Sequence, residues 1–134
     1  MATLHEKLEH IDSLNQHKRK VDQLREAGDF VFKSIVQATY AKNINFRMPT
    51  GAPPFTKNEA GREIEDKDLK VLARECLDFG KHQWNREKVF TQLLEIVNEK
   101  DAEILIAMKD KDLTTVFPTF TKKLLAEAFP ELVK

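Results

Sequence analysis

Cysteine and histidine are scarce in this chain, and their scarcity excludes several kinds of site. The single cysteine, Cys76, cannot form a disulfide within the chain or supply a set of cysteine ligands for zinc. Cys76 and His82 straddle a predicted helix end without an identifiable third orienting group, so a buried structural cysteine is favoured over a nucleophile. No two histidines have the i,i+4 spacing that places two imidazoles on one metal; they are His5, His10, His17 and His82.

The sequence also lacks net charge and long apolar runs. Lysine plus arginine and aspartate plus glutamate stand at 22 each, so there is no overall positive charge for nucleic acid or an anionic membrane. No apolar run approaches the roughly 20 residues that span a bilayer, and the opening MATLHEKLEH is charged where a signal peptide is apolar. We expect a cytosolic protein that is neither secreted nor inserted in a membrane.

Motifs that would indicate an enzyme are missing as well. Neither GxxxxGK nor GxGxxG is present, so no phosphate-binding loop is predicted. The carboxylates of residues 63–68 alternate with lysine and arginine, which is typical of a solvated helix start rather than a metal site. The sequence therefore predicts no catalytic residue, no cofactor, no metal and no enzyme activity.

What the chain does have is helical periodicity, which begins near its N-terminus. Apolar residues recur at helical spacings and predict one amphipathic helix from Leu4 to Ala27, with Gly28 as its stop. Its narrow apolar stripe and charged flanks leave two interpretations: a helix that covers the bundle, or one that binds a protein partner or a second copy of the chain. On the second interpretation, a chain that begins at Gly28 stays folded and loses its partner. The candidate partner-binding residues are Leu4, Leu8, Ile11, Lys18, Arg19 and Arg25.

A long loop then interrupts the periodicity over residues 43–67. Its helix-breaking residues are Pro49, Pro53, Pro54, Gly51 and Gly61. Phe46, Met48 and Phe55 lie within it, and their exposure would be costly, so we expect them to be mostly buried and the loop to be ordered.

Helical patterns flank this loop on both sides. Before it, the run FVFKSIVQATYAK is apolar over more than half of the helix circumference and is expected in the centre of the core, capped by Asp29. After it, helices are predicted over Asp66–Phe79, over Asn85–Val97, after Asn98 and over Phe120–Phe129. The proposed N-caps of the last three are Asn85, which a Trp84–Val89 hydrophobic staple would support, then Asn98 and Thr119, and KDKD at 109–112 is expected in solvent.

These patterns predict an all-α fold: one compact orthogonal bundle of about six helices, with the long ordered loop lying across it. The single domain, residues 1–134, divides into the N-terminal helix 1–27, the loop 43–67 and a helical part 68–134.

One basic cluster near the fourth predicted helix is a candidate for nucleic-acid contact. Lys81, Trp84, Arg86 and Lys88 mix cations with an aromatic side chain, as nucleic-acid sites often do. Glu87 dilutes the charge and Trp84 is already accounted for as part of the staple, so nucleic acid is possible but not favoured.

Several segments of the chain resemble a known family. The segments are Arg86-Glu87 with Phe90 and Gln92–Glu95, then Asp101–Lys111, Phe120-Thr121 and Glu127–Leu132, and the block NFRMPTGAPPFTKNEA at 45–60. Over residues 43–133 the chain is similar to an uncharacterised family of small proteins encoded by tailed bacteriophages.

The resemblance implies a role in infection, and the lack of an acid–base pair favours binding over catalysis. We expect a non-enzymatic phage accessory protein that binds a host or phage protein of replication, transcription or defence, in the cytoplasm of the infected bacterium. The alternative is a small structural or assembly component of the virion, and a weak nucleic-acid-binding protein is the third possibility.

Overall fold

Helices make up most of the structure, which is a computed structural model. It describes residues 4–27, 30–40, 51–76 and 83–133, and for residues 27, 73–76 and 83–86 it describes the backbone only. Within these ranges the chain forms seven α-helices and one 3-10 helix and no strand, which confirms the all-α prediction. They are α1 (Leu4–Asp12), α2 (His17–Ala27), α3 (Phe30–Tyr40), α4 (Asp66–Cys76), α5 (Gln83–Ile96), α6 (Glu99–Lys109), the 3-10 helix Leu113–Thr115 and α7 (Lys122–Ala128).

The N-terminal segment forms two helices, so the prediction of one helix over residues 4–27 was wrong. Residues 13–16, SLNQ, separate α1 from α2. The Ser13 hydroxyl donates to the carbonyl of His10 at 2.6 Å. Serine and asparagine side chains compete with the helix backbone for hydrogen bonds, so this segment turns the chain instead of continuing the helix.

The apolar stripe of these two helices lies inside the core. Leu8, Ile11 and Leu24 are 0%, 2% and 0% exposed, and Leu4 and Val21 are buried with them. The packing thus matches the interpretation of a helix that covers the bundle, and it occupies the apolar residues that were candidates for a partner. A partner would have to meet the opposite, charged face.

The centre of the core is α6, which α3, α5 and the 3-10 helix all contact. Ala102, Leu105 and Met108 on this helix are at most 1% exposed. At the other side of α3, Phe32 meets Phe129 edge to face, with ring centroids 5.8 Å apart. The core therefore brings the N-terminal third of the chain against its last helix.

The described part of the long loop, residues 51–65, is non-helical and lies along the bundle. Phe55 is partly buried against the core, as expected in part, while Phe46 and Met48 lie outside the described residues. An isolated parallel bridge joins Arg62 to Val97 at the end of α5. The bridge fixes the point at which the loop passes the C-terminal end of α5, shortly before the chain enters α4.

Several helix boundaries differ from the predicted ones. α5 begins at Gln83, which puts Asn85 and Trp84 inside the helix, so the cap and staple predicted there were wrong. α7 begins at Lys122 with Thr121 as its N-cap, not Thr119. The predicted cap at Asn98 is confirmed, because its side chain accepts from the amide of Asp101. The predicted Asp29 cap and residues 77–79 of the third predicted helix lie outside the described residues.

Three residues differ in exposure from what the sequence predicted. Phe30, predicted in the core, is 64% exposed. Lys109, predicted in solvent as part of KDKD, is 7% exposed. Asp68, predicted at a solvated helix start, is also buried. Hydrogen bonds to Gly51 and to Arg62 explain the burial of Lys109 and of Asp68 respectively.

Candidate functional site

A buried carboxylate, Asp101, joins three parts of the chain. It sits in the first turn of α6 and is fully buried. One oxygen lies 3.1 Å from Nδ1 of His5 on α1, and the other accepts the amide of Ile64 at 2.9 Å. Nearby, the amide of Leu4 donates to Glu63 at 3.0 Å. The pair resembles a catalytic His–Asp couple in composition, but both carboxylate oxygens of Asp101 hold structural bonds.

A second buried acid, Asp68, is paired with Arg62 through two hydrogen bonds of 2.7 Å. It also accepts the amide of Glu65 at 2.8 Å, which closes the turn before α4. Burial raises the pKa of Asp68, but the bonds from Arg62 and Glu65 lower it more, so the pKa lies below its ordinary value. The same bonds to Asp68 raise the pKa of Arg62. The pair therefore stays ionised and fastens the loop to α4.

The C-terminal end of α6 holds the beginning of the described loop. Lys109 donates to the carbonyl of Gly51 at 2.9 Å and to Asp110 at 2.6 Å. The amide of Gly51 donates back to Asp110 at 3.0 Å. These bonds explain why Lys109 is buried: its ammonium neutralises Asp110 and satisfies a loop carbonyl, as buried charges require.

The turn after α6 has an unusual residue in it. The amides of Lys111 and Asp112 donate to the carbonyls of Met108 and Ala107, which is the Schellman pattern of a helix end. Lys111 takes a φ of 63° at the position that glycine usually fills. A residue with a Cβ is strained there by roughly 1–2 kcal/mol.

Both ends of α2 are tied to the end of α7. Arg25 donates to the carbonyls of Glu127 and Ala128 at 2.8 and 3.3 Å, and His17 pairs with the carboxylate of Glu127. A cation at the last carbonyls of a helix stabilises them. Arg25, a candidate partner-binding residue, is therefore engaged within the chain.

Taken together, Asp68, Asp101 and Lys109 join elements to one another. In the described ranges, no group of three or more histidine, cysteine, aspartate or glutamate side chains is arranged to hold a metal. What these polar groups do is rigidify the loop and α1 around α6. The surface around them is the place to look for binding.

Helices α2 and α3 each carry exposed groups that are candidates for binding. Lys18 and Arg19 are exposed on α2. Phe30 begins α3 and shares an exposed face with Lys33 and Gln37, at spacings of three and seven. The remaining large exposed apolar residue of the described chain is Ile96, 48% exposed at the end of α5.

Sequence reasoning missed Phe30 as a surface residue, although a signal for it was present. Residues 30, 33 and 37 lie on one side of a helix, and the two that accompany Phe30 are polar. The apolar Phe32, Ile35 and Val36 form the opposite, buried side. The average hydrophobicity of the segment concealed this division.

The side chains of the predicted nucleic-acid cluster lie mostly outside the part of the chain that the structure describes. Lys81 lies outside it, and of Trp84 and Arg86 only the backbone, in α5, is described. Lys88 is exposed on the same helix. Contact of these four residues with nucleic acid stays a prediction.

Within the described ranges, no helix has the length and apolar character needed to cross a membrane. Comparison with family models matches residues 7–115 to a family of unknown function, DUF6433. No curated protein matches the sequence.

Proposed function

The chain belongs to the DUF6433 family, whose function is unknown, and we propose that it is a non-enzymatic accessory protein that works by binding another protein. The observation that carries this proposal is Phe30, a phenylalanine that is 64% exposed on a helix whose other apolar residues are buried or partly buried. An exposed aromatic ring supplies a large apolar contact at small entropic cost, and such rings are enriched at the centres of interfaces.

Charged residues exposed on α2 are a second proposed point of contact for the partner. Lys18 and Arg19 are exposed there, and their helix packs on the core through its opposite face. Rim charges mainly steer association and select partners. The proposed partner-binding residues are thus Phe30, Lys18 and Arg19, while Leu4, Leu8 and Ile11 are buried in the core.

The biological setting of the proposal comes from the sequence motifs. They resemble those of small proteins encoded by tailed bacteriophages, so we place the protein in the cytoplasm of an infected bacterium, with a host or phage protein as its partner. A structural component of the virion would instead be part of the phage particle. Finding this protein in particles at a fixed copy number would contradict the proposal.

The test is affinity purification of the full-length tagged protein from infected cells, followed by mass spectrometry. We expect a partner that copurifies with the wild type and with Ile96→Ala, a matched change at another exposed apolar residue. Phe30→Ala should reduce its recovery at least tenfold, and the double change Lys18→Gln, Arg19→Gln should weaken it less. Equal recovery with Phe30→Ala, or no copurifying protein, would contradict the proposal.

A further inference from the structure

The described loop is fastened to the helices at two points. At its beginning, the amide of Gly51 donates to Asp110 at 3.0 Å, and its carbonyl accepts from Lys109 at 2.9 Å. Further along, the amide of Thr56 donates to the carboxylate of Glu95 on α5 at 2.9 Å. Because both points are held by side chains of the bundle, the segment between them has a fixed position on the surface.

Between these points lies the proline segment, residues 52–55. Ala52 and Pro54 are exposed, Pro53 is half-buried, and Phe55 packs partly against the core. A proline ring fixes its own φ at roughly −65° and holds the preceding residue away from the helical region. Two consecutive prolines therefore preform the segment, and a binding partner has little of it left to order.

The chemistry of the proline segment limits what can bind it. Its backbone forms no hydrogen bond with the described residues. Its two prolines have no N–H, so the segment cannot pair as a strand with a partner. Residues 51–56, GAPPFT, carry no charge, so they form no ion pair with a phosphate backbone or an acidic peptide. What the segment offers is apolar rings beside carbonyls that have no donor within the described chain.

We propose that the proline segment is the ligand of a groove lined by tryptophan or tyrosine side chains on the partner protein. The inference rests on the proposed function and adds a further contact together with its chemistry. Tryptophan and tyrosine each supply a flat apolar surface and a hydrogen-bond donor. Their rings cover the proline rings, and the indole N–H or phenol O–H donates to the carbonyls that the segment leaves unpaired.

The first test is an NMR titration of the purified full-length protein with N-acetyl-tryptophanamide as the probe. The ring protons of Pro53 and Pro54 should shift upfield at least twice as far as those of Pro118 and Pro130, which are exposed prolines elsewhere in the chain. N-acetyl-phenylalaninamide has a ring without a side-chain donor and should give smaller shifts. Equal shifts at all four prolines, or no shift at any of them, would overturn the inference.

The second test repeats the affinity purification from infected cells with changes in the proline segment. Pro54→Ala should reduce recovery of the partner at least fivefold, whereas Pro130→Ala, a matched loss of an exposed proline after α7, should change it less than twofold. Because Pro54→Ala leaves both fastening points intact, its Tm should stay within about 5 °C of wild type. Ala52→Gln keeps both prolines and should also reduce recovery, because it places a polar side chain in the groove. Full recovery with either variant contradicts the inference.

The outcome for the proline segment is distinguishable from the outcome for the proposed function. A partner lost with Phe30→Ala but recovered in full with Pro54→Ala overturns the inference and leaves the proposed function standing. If no partner is captured from infected cells, the proposed function fails, and the NMR titration still decides whether the segment binds an aromatic donor.

Discussion

Gly61 lies where the loop crosses the end of α5, and no larger residue fits there. A Cβ at this position would stand 2.4 Å from the carbonyl carbon of Val97 and 2.6 Å from the amide nitrogen of Asn98. Both are backbone atoms, so they cannot rotate away. The close approach allows Asn98 to donate its amide to the carbonyl of Arg62 at 2.9 Å.

We expect Gly61→Ala to destabilise the protein by roughly 1–3 kcal/mol or more, because the backbones must separate. The amide of Asn98 should lose protection in hydrogen exchange. Gly51→Ala is the comparison variant, because the added Cβ would meet nothing within 4 Å. Its cost comes only from the backbone strain of a residue with a Cβ at a φ of 93°. Retained Asn98 protection in Gly61→Ala would show that the crossing is not held by this contact.

Asp68 gives the protein a stability component that depends on pH. Its folded-state pKa lies below the ordinary 3.8. The stabilisation is therefore complete above the unfolded-state value and is lost as pH falls through the folded-state value. Asp68→Asn should cost roughly 1.5–3 kcal/mol at pH 7, because Arg62 and the Glu65 amide lose a charged acceptor.

The measurement is urea unfolding of wild type and Asp68→Asn between pH 7 and pH 2. The difference in free energy of unfolding should be constant above pH 5 or so and shrink below about pH 4. Asp66→Asn removes an acid from the same turn whose partner, Lys70, is well exposed, and should cost at most about 0.5 kcal/mol. A difference that grows as pH falls would have the wrong sign.

At the scale of whole elements, we expect α1 and α2 to be required for folding. Leu4, Leu8, Ile11, Val21 and Leu24 are all buried in the core. At roughly 1.5–3 kcal/mol for each buried side chain, their loss equals the entire stability of an ordinary domain, roughly 5–15 kcal/mol. We therefore expect a chain that begins at Gly28 to be unfolded, in contrast to the expectation from the sequence.

We expect a protein lacking residues 1–27 to show no cooperative thermal transition by circular dichroism. As a control for the charged face alone, Lys18→Gln with Arg19→Gln should leave the free energy of unfolding within about 0.5 kcal/mol of wild type. A truncated protein that keeps its helix content and melts in one sharp step would show that α1 and α2 are dispensable.

The elements that sequence predicted well are those fixed by local chemistry. Asn98 precedes an acidic first turn. Its side chain accepts a hydrogen bond from the backbone amide of Asp101 and so caps α6, as expected. Thr119 and Thr121 are equally good caps by composition. The choice between them depends on Asp12, which accepts the amide of Thr119 at 2.9 Å from 107 residues away.

The same distinction explains the charged residues that were misplaced. Lys109 is buried because Gly51, far away in the chain, offers it a carbonyl. In the sequence, Asp101 is an ordinary acidic residue of a first helical turn. Its carboxylate is buried because the fold brings His5 and the amide of Ile64 into contact with it. The proposed surface residue Phe30 could be found from periodicity, because residues 30, 33 and 37 lie on one side of a helix.

At the scale of the whole molecule, hydrogen bonds connect the beginning of the chain to its end. His5 pairs with Asp101, Asp12 with Thr119, and Arg25 with the end of α7. These bonds make separate unfolding of the N-terminal part costly. We therefore predict a single cooperative unfolding unit for residues 1–134.

Urea unfolding should give the same midpoint by circular dichroism at 222 nm and by fluorescence of the single tryptophan, Trp84. Disrupting one connection, with Asp12→Ala, should lower both midpoints together. Separate midpoints for the two probes would indicate that part of the molecule unfolds independently of the rest.

The packing of α2 on α7 also has a consequence for synthesis on the ribosome. Roughly 100 residues separate these helices, and at about 5–20 residues per second their translation is about 5–20 s apart. During that interval Leu24 and its apolar neighbours have not yet met the helix that covers them. We therefore expect the nascent protein to be exposed to chaperones and proteases until the last thirty or so codons have been read.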